Sequence, residues 1–354
     1  MREFFQDRLE SLDQRQGYKK PDRRADATKM DSNENMAVPK SLQQEILRVF
    51  RGKDVREYPI GGVERLTQAI AEHLRVKPSR IGVGNGSDQI LDLILSLFAT
   101  SKTRVLAPEP TFSFFQRRCE LYSIPMKGVA FSDDMKLNAD ELVAAAKDTD
   151  IIYIDSPNNP TGFQLPREDI TEIVDGFDGL VIVDEAYADF GDYSLAQEAI
   201  ERDNLVITRT FSKSHGLAGL RLGYMVAGDR FADIFNRVIQ YPYPINALAI
   251  EAGITALSRQ EQIQETIHTI QRERQRVIDV LRQYGAFKVF DSSGNFVLFD
   301  AGAAYRRVHR ALEEQGVSVK MIGKVGRYEG CLRVTIGTKR MNSKFLLAVR
   351  DLLR

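Results

Sequence analysis

Lys213 has the setting of a nucleophile. It follows an apolar run, Leu205-Val-Ile-Thr208, and precedes Gly216-Leu-Ala-Gly219-Leu-Arg221-Leu-Gly223. Most lysines are solvated. One held in an apolar site loses part of its preference for the charged form and becomes a usable amine. The glycines let backbone approach a ligand closely. A carboxylate, Asp184, ends a second apolar run, Leu180-Val-Ile-Val183. That placement is costly unless the charge is paired. Its partner is a helix start, an arginine or a cationic nitrogen of a ligand. A third run, Ile151-Ile-Tyr-Ile-Asp155, leads into Ser156-Pro-Asn-Asn159-Pro-Thr-Gly162. Two prolines and a glycine fix this turn, and Asn158 and Asn159 offer amides. A loop so rich in constrained residues reads as functional. Finally, Gly82-Val-Gly-Asn-Gly86-Ser87-Asp88 runs into a helical pattern over 88–98. Free N–H groups at a helix start make an anion site. The glycine spacing is not that of a dinucleotide fingerprint, and the stretch follows another helix.

These residues need elements to hold them. Short apolar runs at 104–107, 151–155, 180–184, 205–208 and 223–227 read as strands buried on both faces of a sheet. Helical patterns separate most of them, such as 64–74 with Leu66, Ala69 and Ile70 on one side. The alternation predicts an α/β domain with a mainly parallel sheet. In such sheets ligands bind at the carboxyl ends of the strands, which is where the loop of 156–162, Asp184 and Lys213 stand. After about residue 245 the pattern becomes α+β: long helices over 246–284, a helix at 302–315, and strands at 287–290, 295–300, 317–321 and 331–336. Residues 1–30 are polar and irregular. The expected organisation is an arm (1–30), a large α/β domain (31–245) and a small α+β domain (246–354) packed with the N-terminal segment.

Bulk properties narrow the function. A chain of 354 residues supports two domains. Lys plus Arg and Asp plus Glu both number 49, leaving no basic surplus for nucleic acid. Cys119 and Cys331 read as free thiols. The four histidines lack metal-ligand spacing, so no metal is expected. His215 reads as a packing residue. The longest apolar stretch, Ile90 to Ala99, is interrupted by Asp92 and falls short of the ~20 residues of a membrane span. The N-terminus lacks a signal-peptide core, so a cytoplasmic protein is expected.

Taken in order, Gly-Asn-Gly-Ser-Asp (84–88), Ser-Pro-Asn-Asn-Pro-Thr-Gly (156–162), Asp-Glu-Ala-Tyr (184–187) and Ser-Lys-x-x-Gly-Leu-Ala-Gly-Leu-Arg-x-Gly (212–223) resemble the fold-type I pyridoxal-phosphate aminotransferases. Within them the chain is most similar to the histidinol-phosphate aminotransferase family. Asp-Ser-Asn-Glu-Asn (31–35), Tyr-Pro-x-Gly-Gly (58–62), Tyr-Pro-Tyr-Pro (241–244) and Cys-Leu-Arg-Val-Thr-Ile-Gly-Thr (331–338) extend the likeness to both ends. The resemblance implies a mainly parallel seven-stranded sheet flanked by helices, with pyridoxal 5'-phosphate held by Lys213 as a Schiff base. It implies that Lys213 also moves the reaction's proton. Asp184 would pair with the ring nitrogen, and Asn159 and Tyr187 with the ring oxygen. Ser87, Asp88, Ser212 and Arg221 would cradle the phosphate, and Phe112 would stack on the ring. Tyr58 would reach the phosphate of a neighbouring subunit, making a homodimer with shared sites. Arg333 would bind the anionic end of the substrate.

The departures bear on the substrate. Met36 follows Asn35 where relatives often have proline. Lys320 stands where a second arginine is common; it keeps the charge without the bidentate fork, and can still bind phosphate. Tyr18 is expected to close over the substrate phosphate, and Asn35 to lie on the substrate side. The activity implied is ping-pong transfer between L-histidinol phosphate and 2-oxoglutarate, in histidine biosynthesis. Alternatives on the same scaffold are an aromatic amino-acid aminotransferase, a threonine-phosphate decarboxylase and a non-catalytic regulator. An intact Lys213, Asp184 and Arg221 argue against the regulator.

Overall fold

In a computed structural model of the chain, residues 2–15, 26–98, 100 and 102–354 are described. The strands, in chain order, are β1 (Thr28–Met30), β2 (Ile81–Gly84), β3 (Val105–Glu109), β4 (Met126–Ala130), β5 (Ile151–Asp155), β6 (Leu180–Asp184), β7 (Leu205–Thr210), β8 (Gly223–Ala227), β9 (Lys288–Val289), β10 (Phe296–Asp300), β11 (Val317–Val325) and β12 (Tyr328–Thr335).

Seven of these form one sheet in the order β2-β8-β7-β6-β5-β3-β4. Neighbours are parallel except β8, which is antiparallel to both β2 and β7. The continuous Val/Ile runs make the sheet's centre because each successive side chain must find an apolar partner on the opposite face. Ile182, Val206, Ile151 and Tyr153 pack with Ile90, Leu91, Ile94 and Leu95 of the Ser87–Phe98 helix. The alternate residues Val181, Val183, Ile207 and Ile152 pack on the other face with Leu66 and Ile70 of Gly62–Leu74 and Ile170 and Ile173 of Arg167–Gly176. A fully buried leucine such as Leu91 contributes roughly 1.5–3 kcal/mol.

The chain runs outward from β3 to β4, then returns to place β5 on the other side of β3. A crevice therefore opens at the carboxyl ends of β3 and β5, where the direction of winding reverses.

The second sheet has the order β1-β11-β12-β10-β9. β1 lies parallel to β11, and the rest pair antiparallel. Helices Gln260–Gln283, Tyr305–Glu314 and Lys339–Leu352 accompany it. Ala247–Leu257, which the sequence reading assigns to the second unit, packs against Gly62–Leu74 and Lys40–Phe50. The first thirty residues are not all irregular. Arg2–Asp13 is a helix and β1 pairs with the small sheet. The apolar positions 5, 9 and 12 recur at helical spacing among charges, a signal masked by the polar composition. Both cysteines are free and buried. No helix among the described residues is long and apolar enough to cross a membrane.

Candidate active site

The ends of β2, β3, β5, β6 and β7 surround a cleft with about 680 Å³ of open space. Its walls include Ser87, Asp88, Phe112, Asn159, Asp184, Tyr187, Ser212, Lys213 and Arg221, all read from the sequence as cofactor residues.

One end is built for an anion. Ser87 opens its helix straight after the β2 turn, and Ser87 is buried. Gly86 takes a φ of +81°, and a Cβ there would come within 2.7 Å of Arg221 Nη2. Arg221, itself left-handed at φ 52°, donates Nη2 to Asp88 Oδ2 at 2.9 Å and Nη1 to Ser212 Oγ at 3.2 Å. A helix N-terminus, two serine hydroxyls and a guanidinium thus converge on one end of the cleft.

Asp184 marks the inner end, at the tip of β6. It is 3% exposed and accepts from Tyr153 OH at 2.9 Å and the Ala186 N–H at 3.1 Å. Burial, followed by the charge of neighbouring Asp155, pushes its carboxyl up to about 7. Of the sequence alternatives, Asp184 meets no arginine among the described residues; its N–H contact is to Ala186.

Lys213 lies in the loop between β7 and β8. Its backbone is fixed by the Gly216 N–H donating to Lys213 O at 3.2 Å and by the Ser212 N–H donating to Thr210 Oγ1 at 3.1 Å. Its amine sits 5.5 Å from the centre of the Tyr187 ring and donates to Ser32 O at 3.1 Å. The Asp31–Asn35 segment thereby touches the amine directly.

The mouth joins the two sheets. Arg333 on β12 donates to Asn159 Oδ1 and to Asp31 O, the latter at 2.9 Å, and lies 5.3 Å from the Phe296 ring. Lys320 on β11 is the register partner of Arg333, so the two cations share one face of the sheet. Burial and then the charge of Arg333 push the Lys320 ammonium below its usual value.

Other sequence candidates stand elsewhere. Asn35 is buried away from the cleft wall, its amide donating to Ser214 O at 2.8 Å and its Oδ1 accepting from the Ala37 N–H at 3.0 Å. Tyr58 is 69% exposed and stacks on Tyr243 at 4.3 Å. Tyr18 lies outside the described residues. His215 is buried against Phe211, with burial pushing its imidazole down to about 4. The sequence reading passed over Asn33, whose Nδ2 donates to Tyr187 OH at 2.9 Å, and Asp155, which lines the cleft. Asn33 has a positive φ of 56° and no exposure, and only its place in the Asp-Ser-Asn-Glu-Asn stretch hints at a role. Asp155 carried the same signal as Asp184, a carboxylate ending an apolar run.

Comparison with known proteins follows the same lines. The sequence profile of "Aminotransferase class I and II" matches residues 25–349. The histidinol-phosphate aminotransferase of Pyrococcus furiosus is 32% identical over 325 residues, covering 92% of each chain. That of a Thermoanaerobacter species is 33% identical over 329 residues, covering 92% of this chain and 93% of the relative. Among solved structures, a histidinol-phosphate aminotransferase from Sinorhizobium meliloti in complex with pyridoxal 5'-phosphate superimposes with a TM-score of 0.85 at 26% identity, covering 94% of this chain and 92% of that one.

Proposed function

This chain belongs to the class I and II aminotransferase family, and we propose that it transfers an amino group between L-histidinol phosphate and 2-oxoglutarate with pyridoxal 5'-phosphate as cofactor. The observation that carries the reading is one cleft that holds an anion cradle, a buried carboxylate and an amine, with Arg333 on its Asn159 wall and Lys320 opposite Arg333 in the sheet.

The residues present fit the cofactor. Its phosphate suits the helix start of Ser87 and Asp88, with Ser212 and Arg221. Its ring nitrogen suits Asp184, a buried carboxylate held by hydrogen-bond donors and lacking an ion-pair partner among the described residues. Its aldehyde suits the Lys213 amine. When bound, the cofactor supplies an electron sink conjugated with the substrate's Cα.

The chain's own groups do the rest. Lys213 would anchor the cofactor through its aldehyde carbon, and its amine would then carry the proton between the substrate's Cα and that same cofactor carbon. Asp184 keeps the ring end protonated. Phe112 covers the ring face. Asn159 and Tyr187 address the ring oxygen, and both already sit in networks that fix them, to Arg333 and to Asn33 respectively. Arg333 and Lys320 receive the anionic end of either substrate. A phosphate dianion suits two adjacent cations better than one carboxylate does, and this supports histidinol phosphate as amino donor. The same pairing serves 2-oxoglutarate through the planar fork of Arg333. Histidine biosynthesis is the pathway this reading implies.

We read Tyr58 as the partner subunit's contribution to the cradle, which makes the active unit a homodimer. Val55, Tyr58 and Ile60 are 74%, 69% and 85% exposed, an apolar edge suited to a second copy.

A single half-reaction tests the donor. L-histidinol phosphate is added to protein loaded with pyridoxal phosphate, and the visible spectrum is recorded. Loss of the visible band at concentrations where phenylalanine and tyrosine do little supports the assignment. Conversion by an aromatic amino acid alone moves the protein to aromatic transamination, and release of carbon dioxide moves it to decarboxylation.

A further inference from the structure

The inner end of the cleft presents two buried carboxylates. Asp155 ends β5 and Asp184 ends β6, and they are register partners in the parallel ladder. Their exposures are 5% and 3%. Asp155 Oδ1 accepts from Thr111 Oγ1 and from Asn158 Nδ2, each at 2.8 Å, and Oδ2 accepts from the Asn159 N–H at 2.9 Å. Both oxygens therefore receive N–H groups that can only donate, an environment built for the ionised carboxylate. Among the described residues neither acid has an ion-pair partner. The charges that bear most on Asp184 belong to other acids, Asp155 and then Asp88. Arg221 is engaged with Asp88, and Lys213 with Ser32 O. Two buried acids thus adjoin a cavity with no cation between them.

We propose that Asp155 is a positioning residue for the ring-nitrogen end of the cofactor, acting through Asp184 to hold the proton shared between Asp184 and that nitrogen. The inference rests on the reading of the cleft as a pyridoxal-phosphate site. Its three hydrogen bonds give Asp155 a second duty. Thr111 precedes the ring-facing Phe112, and Asn159 reaches Arg333, so one carboxylate fixes both walls of the crevice between β3 and β5. Tyr153 donates to Asp184, Asp88 adds its charge, and Lys213 and Arg221 line the same cleft. Burial raises Asp155 to about 6 and Asp184 to about 7. At neutral pH and above, Asp155 therefore carries charge. Below pH 6 it loses that charge, and with it the proposed role.

Substitution Asp155→Asn removes the charge, and one of the two acceptor oxygens, at nearly constant shape. The readout is the equilibrium affinity of the cofactor-free protein for pyridoxal phosphate and for its analogue with C–H in place of the ring nitrogen. The expected result is about tenfold weaker binding of pyridoxal phosphate at pH 8.5, equivalent to one pKa unit, with the two proteins converging below pH 6. The analogue should bind both proteins alike, or the variant better. Thr111→Val provides an independent variant if Asp155→Asn folds poorly. It removes a donor from the carboxylate, so the pH at which affinity falls on the acid side should move upward. Equal loss for both ligands at every pH, or no loss at all, overturns the proposal while leaving the cofactor assignment intact. Failure of the unsubstituted protein to bind pyridoxal phosphate overturns the reading of the cleft itself.

Discussion

At the scale of the residue, function rests on groups whose partners are already in place. Lys213 is held by its neighbours' backbone and reaches Ser32 O, so its removal should alter chemistry rather than fold. Lys213→Ala is expected to abolish the cofactor's visible band and turnover, with an unchanged far-ultraviolet dichroism. Near-normal turnover would sink the assignment. Arg333 uses two of its nitrogens on Asn159 and Asp31, a fork that a lysine cannot reproduce. Arg333→Lys should raise KM for the amino donor by about 10- to 100-fold, the ~1.5–3 kcal/mol of a charge-assisted bond, with a smaller change in kcat. Steady-state kinetics separates this from general damage, which would lower kcat at constant KM.

At the scale of the element, the anion cradle depends on glycine at two places where backbone and ligand wall meet. Gly86 combines a φ of +81° with Arg221 at 2.7 Å from its would-be Cβ, and Gly223 packs against the Ser87 backbone. Gly86→Ala is expected to weaken cofactor retention about tenfold or more, since left-handed strain and displacement of the guanidinium add together. Gly285→Ala, at φ +66° with nothing within 4 Å, is the matched control, since it shares the strain without the displacement. Equilibrium dialysis of the cofactor compares them. The same elements show what was legible in the sequence. Runs at β3, β5, β6, β7 and β8 were visible because strands buried on both faces are written as continuous apolar residues, Val and Ile above all in β5, β6 and β7. β2 and β4 lack such runs for different reasons: β2 is buried throughout but half glycine, whereas β4 is a largely uncovered edge of the sheet. Cleft residues that end a strand or open a helix could be read from position alone. Asn33 could not, because its role comes from a loop that crosses between the two sheets, from Tyr187 to Thr335.

At the scale of the whole molecule, two consequences follow from charge and from assembly. Asp155 and Asp184 have values raised to about 6 and about 7. A raised carboxyl contributes stability below about pH 4 that is lost as pH climbs through the raised value. The cofactor-free protein should therefore lose stability from these groups between about pH 4 and 7, and Asp184→Asn should blunt the loss. The protonated ring nitrogen of bound pyridoxal phosphate would offset the cost, so the Tm gap between loaded and free protein should widen from pH 5 to pH 8 in scanning calorimetry. A flat gap would show that the buried acids do not meet the ligand. Assembly gives a sharper test, because Tyr58 stands 69% exposed on an apolar edge, outside the cleft walls. If it completes the cradle of a second copy, each site takes Lys213 from one chain and Tyr58 from the other. Tyr58→Phe homodimers should then lose cofactor on dilution. Adding an excess of inactive Lys213→Ala subunits should restore retention, and with it activity, at the sites of the Tyr58→Phe chains. In a symmetric dimer the inactive subunit supplies the missing hydroxyl across the interface, while its own site stays dead. Formation of mixed dimers is followed by native mass spectrometry. Mixed dimers with no gain in retention would place Tyr58 outside its partner's site, whereas a gain in activity on adding an inactive protein requires the sites to be shared.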